Sequence, residues 1–86
     1  MKSAYERAME RLGGTLAELT PAQKAKIADI HSLFESRIAQ VRMRAEEELR
    51  TVGDDQEKAD VIRQHLAREI ADLTAQRETQ KDAARK

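Results

Sequence analysis

Leu19-Thr20-Pro21-Ala22-Gln23, followed by the apolar series Ile27, Ile30, Phe34, Ile38, Val41, Ala45, Leu49 and Val52, decides the fold. Thr20 suits a helix N-cap, Pro21 the first helical position, and Gln23 the reciprocal partner of a capping box. The apolar steps after it run 3, 4, 4, 3, 4, 4, 3. That spacing keeps one face of a long helix apolar. It repeats every eleven residues, or about 3.67 per turn, which predicts straight or weakly right-handed packing in place of a left-handed heptad supercoil.

Gly53-Asp54-Asp55 breaks the pattern. Gly53 is expected to end the first helix. Asp54, with Glu57, is expected to cap the next. A second stripe then follows at Ala59, Ile62, Leu66, Ile70 and Leu73, with the same 3, 4, 4, 3 steps. A short turn between two such helices makes them antiparallel. The predicted fold is therefore all-α, a long antiparallel helical hairpin over residues 20–86 with its turn at 53–55. Folding at 53–54 makes facing residue numbers add to about 107, which sets Phe34 opposite Leu73, Ile38 opposite Ile70 and Val41 opposite Leu66.

Upstream, Ser3 and Glu6 form a second capping-box pattern, and Tyr5, Ala8, Met9 and Leu12 share a helical face. Gly13-Gly14 would stop that helix, so a short N-terminal helix is expected over 1–13 and a connector over 14–19. A helix this short needs a surface to dock on. In the same register Ile27 and Ile30 would face Gln80 and Arg77, and Leu33 lies beside the seam. Tyr5, Met9, Leu12, Ile27, Ile30 and Leu33 are thus the expected partner or self-association surface, at the open end of the hairpin. The N-terminal helix could fold back on Ile27 and Ile30, or a second copy could complete a four-helix dimer; the dimer is the favoured reading, since small scaffolds usually need such help.

Composition narrows the function. The chain has 86 residues, 37% charged and 40% apolar, with Tyr5 and Phe34 as its aromatics and a net charge of zero. Zero net charge and the scarcity of aromatics for base stacking argue against a nucleic-acid binder, although Arg37, Arg42, Arg44, Arg63 and Arg68 could form a strip. The absence of cysteine removes disulfides, thiolate catalysis and Cys-based zinc sites. No apolar run suits a membrane span, and the opening residues lack the apolar core of a signal peptide, so a cytoplasmic protein is expected.

The remaining polar residues hold two pairs with metal-ligand spacing. His31 with Glu35, and His65 with Glu69, have the spacing of two ligands on one helix face. The hairpin sets the two histidines far apart, so no metal site is expected. Glu46-Glu47-Glu48 could be an acidic ligand cluster, but Arg42, Arg44 and Arg50 lie four residues from Glu46 or Glu48, the arrangement of intrahelical ion pairs, so a solvated face is expected. Gly13-Gly14 lacks the Lys-Ser/Thr ending of a phosphate loop. No catalytic residue and no cofactor is expected.

Two resemblances bear on this reading. Leu19-Thr20-Pro21-Ala22-Gln23 resembles the L-T-x-x-Q motif of the Spy and CpxP periplasmic chaperone family. That resemblance implies a helical, dimeric, cradle-shaped holder of unfolded clients. The family usually carries the motif twice, whereas Leu73-Thr74-Ala75-Gln76-Arg77 has Arg in the Gln position. The opening Lys2-Ser3-Ala4-Tyr5-Glu6-Arg7-Ala8-Met9-Glu10-Arg11-Leu12 is similar to a group of short bacterial proteins beginning K-S/T-A-Y-E-x-A-M-E-R-L. It implies a cytoplasmic helical protein and supplies no mechanism. The function expected is a non-enzymatic interaction or scaffold protein that self-associates as a dimer. A Spy-like holdase and a nucleic-acid-binding hairpin are the alternatives.

Overall fold

The computed structural model describes residue 4 and residues 19–86. Within them the chain forms two helices, α1 (Pro21–Val52) and α2 (Gln56–Ala84), joined as an antiparallel hairpin. No strand occurs among the described residues. The molecule measures 60 × 30 × 14 Å, one helix layer thick. The expected helix over 1–13, with Tyr5, Met9 and Leu12, lies outside the described residues, as does the connector apart from Leu19. Leu19 is buried.

The start of α1 is built as its sequence demands. Gln23 N–H donates to Thr20 Oγ1 at 3.1 Å, and Thr20 N–H donates to Gln23 Oε1 at 2.9 Å. Both bonds satisfy amides that have no partner within the helix. Pro21 occupies the first turn, where its missing N–H costs nothing.

The turn differs in detail from the expected one. Gly53 has φ 57° and ψ −122°, and Asp55 N–H donates to Val52 O at 3.1 Å. These values describe a type II′ β-turn with glycine at its first central position. The cap of α2 is Asp55, one residue later than expected. Its Oδ1 accepts from Lys58 N–H at 3.1 Å. Asp54 is taken up as the second central residue of the turn, so it cannot serve as the N-cap.

Phe34 and Leu73 meet in one cluster as expected, but toward the open end contacts run further along α2 than level counting gives. Arg77 Nη1 lies 2.8 Å from Glu35 Oε1. A fold adding to 107 would set Asp72 opposite Glu35, five residues earlier. Two effects push in this direction. The turn uses residues 53–55 in full, and every Cβ leans toward its own helix N-terminus. Side chains of α2 therefore reach toward the turn and those of α1 away from it, so a residue of α1 meets one further along α2 than level counting gives.

Burial is concentrated where the sequence reading left a gap. Ile30, Phe34 and Ala84 form the buried cluster, with Ile27 and Leu73 packed against it. Phe34 is fully enclosed, at 0% exposure. The expectation that Ile27 and Ile30 lie opposite polar residues without apolar partners is thus corrected. The shifted register brings the end of α2 to them, and Ala84 is small enough to fit. Nearer the turn the seam is made by Ala45 and Ala59. Small side chains occupy the centre there, and the larger ones flank it.

Candidate functional site

The flanking residues compose the most distinctive surface of the hairpin. Val41, Leu49 and Val52 of α1 and Ile62, Leu66 and Ile70 of α2 are each half-buried. On α2 the buried residues are both alanines, Ala59 and Ala84. Every large apolar residue of the α2 stripe therefore keeps contact with solvent. A second helix can bury one side of such a stripe and no more, because a two-helix seam closes along a line and not around a core.

Two shallow grooves run along the seam. One is lined by Arg37, Val41, Arg44, Glu69, Leu73 and Gln76, with a volume of about 350 Å³. The other, on the opposite side, is lined by Glu35, Ile38, Arg42, Ile70, Thr74 and Arg77, at about 280 Å³. At the turn end Val52, Val61 and Ile62 form a third depression of about 430 Å³, floored almost wholly by apolar atoms. Val61 is 64% exposed there. The sequence reading missed Val61 because it falls one residue before Ile62 and off the regular stripe.

The expected site residues are divided by the structure. Ile30 is buried and Ile27 half-buried in the Phe34 cluster. Leu33 stands clear of it at 46% exposure. Tyr5, Met9 and Leu12 fall outside the described residues. Ile27, Ile30 and Leu33 therefore do not form one exposed patch: two of them support the fold and one faces outward.

The polar residues sort by helix. Glu35 accepts from Arg77 and lies 4.0 Å from His31 Nε2. Glu69 lies 2.8 Å from His65 Nδ1. Among the described residues no three His, Asp or Glu side chains gather where a metal ion could be held. Arg37 places its guanidinium 5.0 Å from the Phe34 ring centroid, a cation–π contact over the buried cluster. Glu46, Glu47 and Glu48 are exposed and make no ion pair within 4.0 Å of any described arginine. Solvation of exposed carboxylates competes well with a pair that would freeze two long side chains.

Charge is distributed unevenly along the hairpin. Residues 46–60 hold seven carboxylates against Arg50 and Lys58, a net charge of −5. Residues 36–45 and 61–77 together hold six arginines against Glu69 and Asp72, a net charge of +4. An acidic tip thus adjoins a basic belt, and the half-buried stripe crosses both. No described helix is long and apolar enough to cross a membrane. Compared with family models, curated proteins and solved structures, the chain matches none.

Proposed function

We propose that this chain is a non-enzymatic interaction protein that self-associates through the half-buried apolar stripe of its hairpin. The observation that carries the reading is the state of α2. Its large apolar residues Ile62, Leu66 and Ile70 all remain partly open to solvent, and the buried residues of α2 are the alanines Ala59 and Ala84. Covering such side chains removes apolar area from water at roughly 25 cal/mol per Å². The described residues form a single layer, with no second layer among them to do this. The surface proposed for association thus lies along the turn half, with Val61 at its end, and differs from the open-end surface expected from sequence.

The binding role also draws support from the shape of the grooves. They are open troughs with charged rims and lack the deep enclosure typical of small-molecule sites. Sedimentation equilibrium at tens of micromolar tests the proposal. A reversible dimer is expected, and Val61→Asp is expected to weaken it while leaving helicity unchanged, because Val61 is exposed in the single chain. A chain that stays monomeric throughout that range removes the proposal.

A further inference from the structure

We infer that two copies pair face to face with both hairpins pointing the same way, about a two-fold axis that runs along one side of the seam. The inference rests on the self-association proposed above and gives it a face and a geometry. The two sides of the seam differ. The groove of Arg37, Val41 and Leu73 shares Val41, Arg44 and Glu69 with a narrow neck over Ala45, and that neck shares Ile62 with the depression at Val52 and Val61. The three are therefore one trough on one side, about 22 Å long from Arg37 to Val52 at 1.5 Å per residue. Along it Val41, Val52, Ile62, Leu66 and Leu73 are half-buried and Val61 is exposed. The opposite groove has Ile70 and the buried Ile38 as its large apolar residues, and its Glu35 and Arg77 already hold each other.

The rims of the trough identify its occupant. The α1 rim carries Arg37 and Arg44 and then, toward the turn, Glu48. The α2 rim carries Asp72 and Glu69 and then, toward the turn, His65 and Lys58. Each rim is the charge complement of the other at the same level, because Arg44 and Glu69 bound one stretch of the trough together with Glu48 and His65. Arg44, Glu48 and Asp72 make no ion pair among the described residues. A two-fold axis along the trough lays α1 of each copy on α2 of the other with the level unchanged. It sets Arg37 and Arg44 against the partner's Glu69 and Asp72, and Glu48 against the partner's His65, twice over. Reversing one hairpin would lay α1 on α1 and α2 on α2, and Glu69 and Asp72 would then face no arginine of the trough. An unrelated helix would have to carry both charge patterns on one cylinder, whereas a second copy brings them on two helices at the spacing of the rims. The two turns come side by side, and Lys58 at the end of the trough, 3.9 Å from its own Asp55, offsets part of the repulsion between their carboxylates.

Charge exchange between the rims tests the pairing. Arg37→Glu/Arg44→Glu and Glu69→Arg/Asp72→Arg are each expected to weaken the dimer at least about tenfold in sedimentation equilibrium, because each sets like charges against one another across both rims. An equal mixture of the two variants is expected to return to within about threefold of the unaltered chain, because the rims then match again in both places. Circular dichroism checks that each variant keeps its helices. Spin labelling at Ala28→Cys needs no change of charge: Ala28 is exposed on α1 beyond the trough, and the chain has no native cysteine. The proposed pair holds the two labels about 30 Å apart, whereas a pair with one hairpin reversed about the middle of the trough separates them by about 50 Å. A distance near the longer value overturns the pairing, as does a mixture of folded variants that binds no more tightly than either alone; both results leave self-association standing. A chain that is monomeric at every concentration removes the association on which this inference rests.

Discussion

Arg77 of α2 donates from Nη1 to Glu35 Oε1 of α1 at 2.8 Å, the one ion pair among the described residues that crosses the hairpin. Arg77 is 18% exposed in its side chain and Glu35 54%, so the pair is partly screened by water. Its structural value is as a marker of register. A double-mutant cycle on Glu35→Gln and Arg77→Met should give a coupling of about 0.2–1 kcal/mol, the range of exposed pairs. Zero coupling in chemical denaturation would mean that the two side chains do not meet in solution.

Phe34 should be the most sensitive position of the described chain. It is fully enclosed between the two helices near Ile30 and Ala84. Phe34→Ala is expected to cost about 3–5 kcal/mol, enough to unfold most of a hairpin this small. Leu33 is its neighbour in sequence but stands 46% exposed, and Leu33→Ala should stay within roughly 0.5 kcal/mol. Thermal melts followed by circular dichroism compare the two. Similar midpoints for both variants would contradict the burial described here.

The two aspartates of the turn should behave differently. Asp55 accepts from Lys58 N–H and caps α2, so Asp55→Ala should cost about 1 kcal/mol. Asp54 is exposed and makes no cap, so Asp54→Ala should be close to neutral. Urea denaturation of both variants decides the matter, and a larger loss at Asp54 would restore the cap expected from sequence.

Gly53 offers a test that separates backbone strain from crowding. A Cβ there would meet nothing within 4 Å, so space is not the constraint. Its φ of 57° with ψ of −122° is unfavourable for an L-residue. Gly53→Ala should cost roughly 1–3 kcal/mol for that reason alone. D-alanine placed at the same position by chemical synthesis should be tolerated. Equal melting temperatures for the L- and D-alanine chains would rule out the II′ turn.

The sequence makes the elements of this fold legible because their signals are local. Thr20 and Gln23 sit in one turn, Gly53 must break a helix, and the 3–4 spacing of apolar residues survives any change in packing. The levels at which the helices meet are less accessible, because side chains lean along the helix and the turn consumes whole residues. An error of about one turn is enough to leave Ile30 seemingly uncovered and to hide the role of Ala84. Burial by half is the least legible feature. Ile62, Leu66 and Ile70 look like core residues in sequence, and it is the alanines Ala45 and Ala59 that take the centre of the seam. A small residue on a stripe can mark either a weak point or the closest approach of two helices, and periodicity treats the two alike.

The II′ turn has a consequence for how the hairpin could change over time. Its hydrogen bond from Asp55 N–H to Val52 O leaves no slack between the helices. One residue added between Val52 and Asp55 would swing α2 by about 100° about its own axis, unless the turn reorganised. Ala59 would leave the seam, and a different set of side chains would be presented outward. The turn is therefore a phase lock: substitutions along the stripe alter how strongly a partner is held, whereas a change in loop length exchanges one binding face for another in a single step.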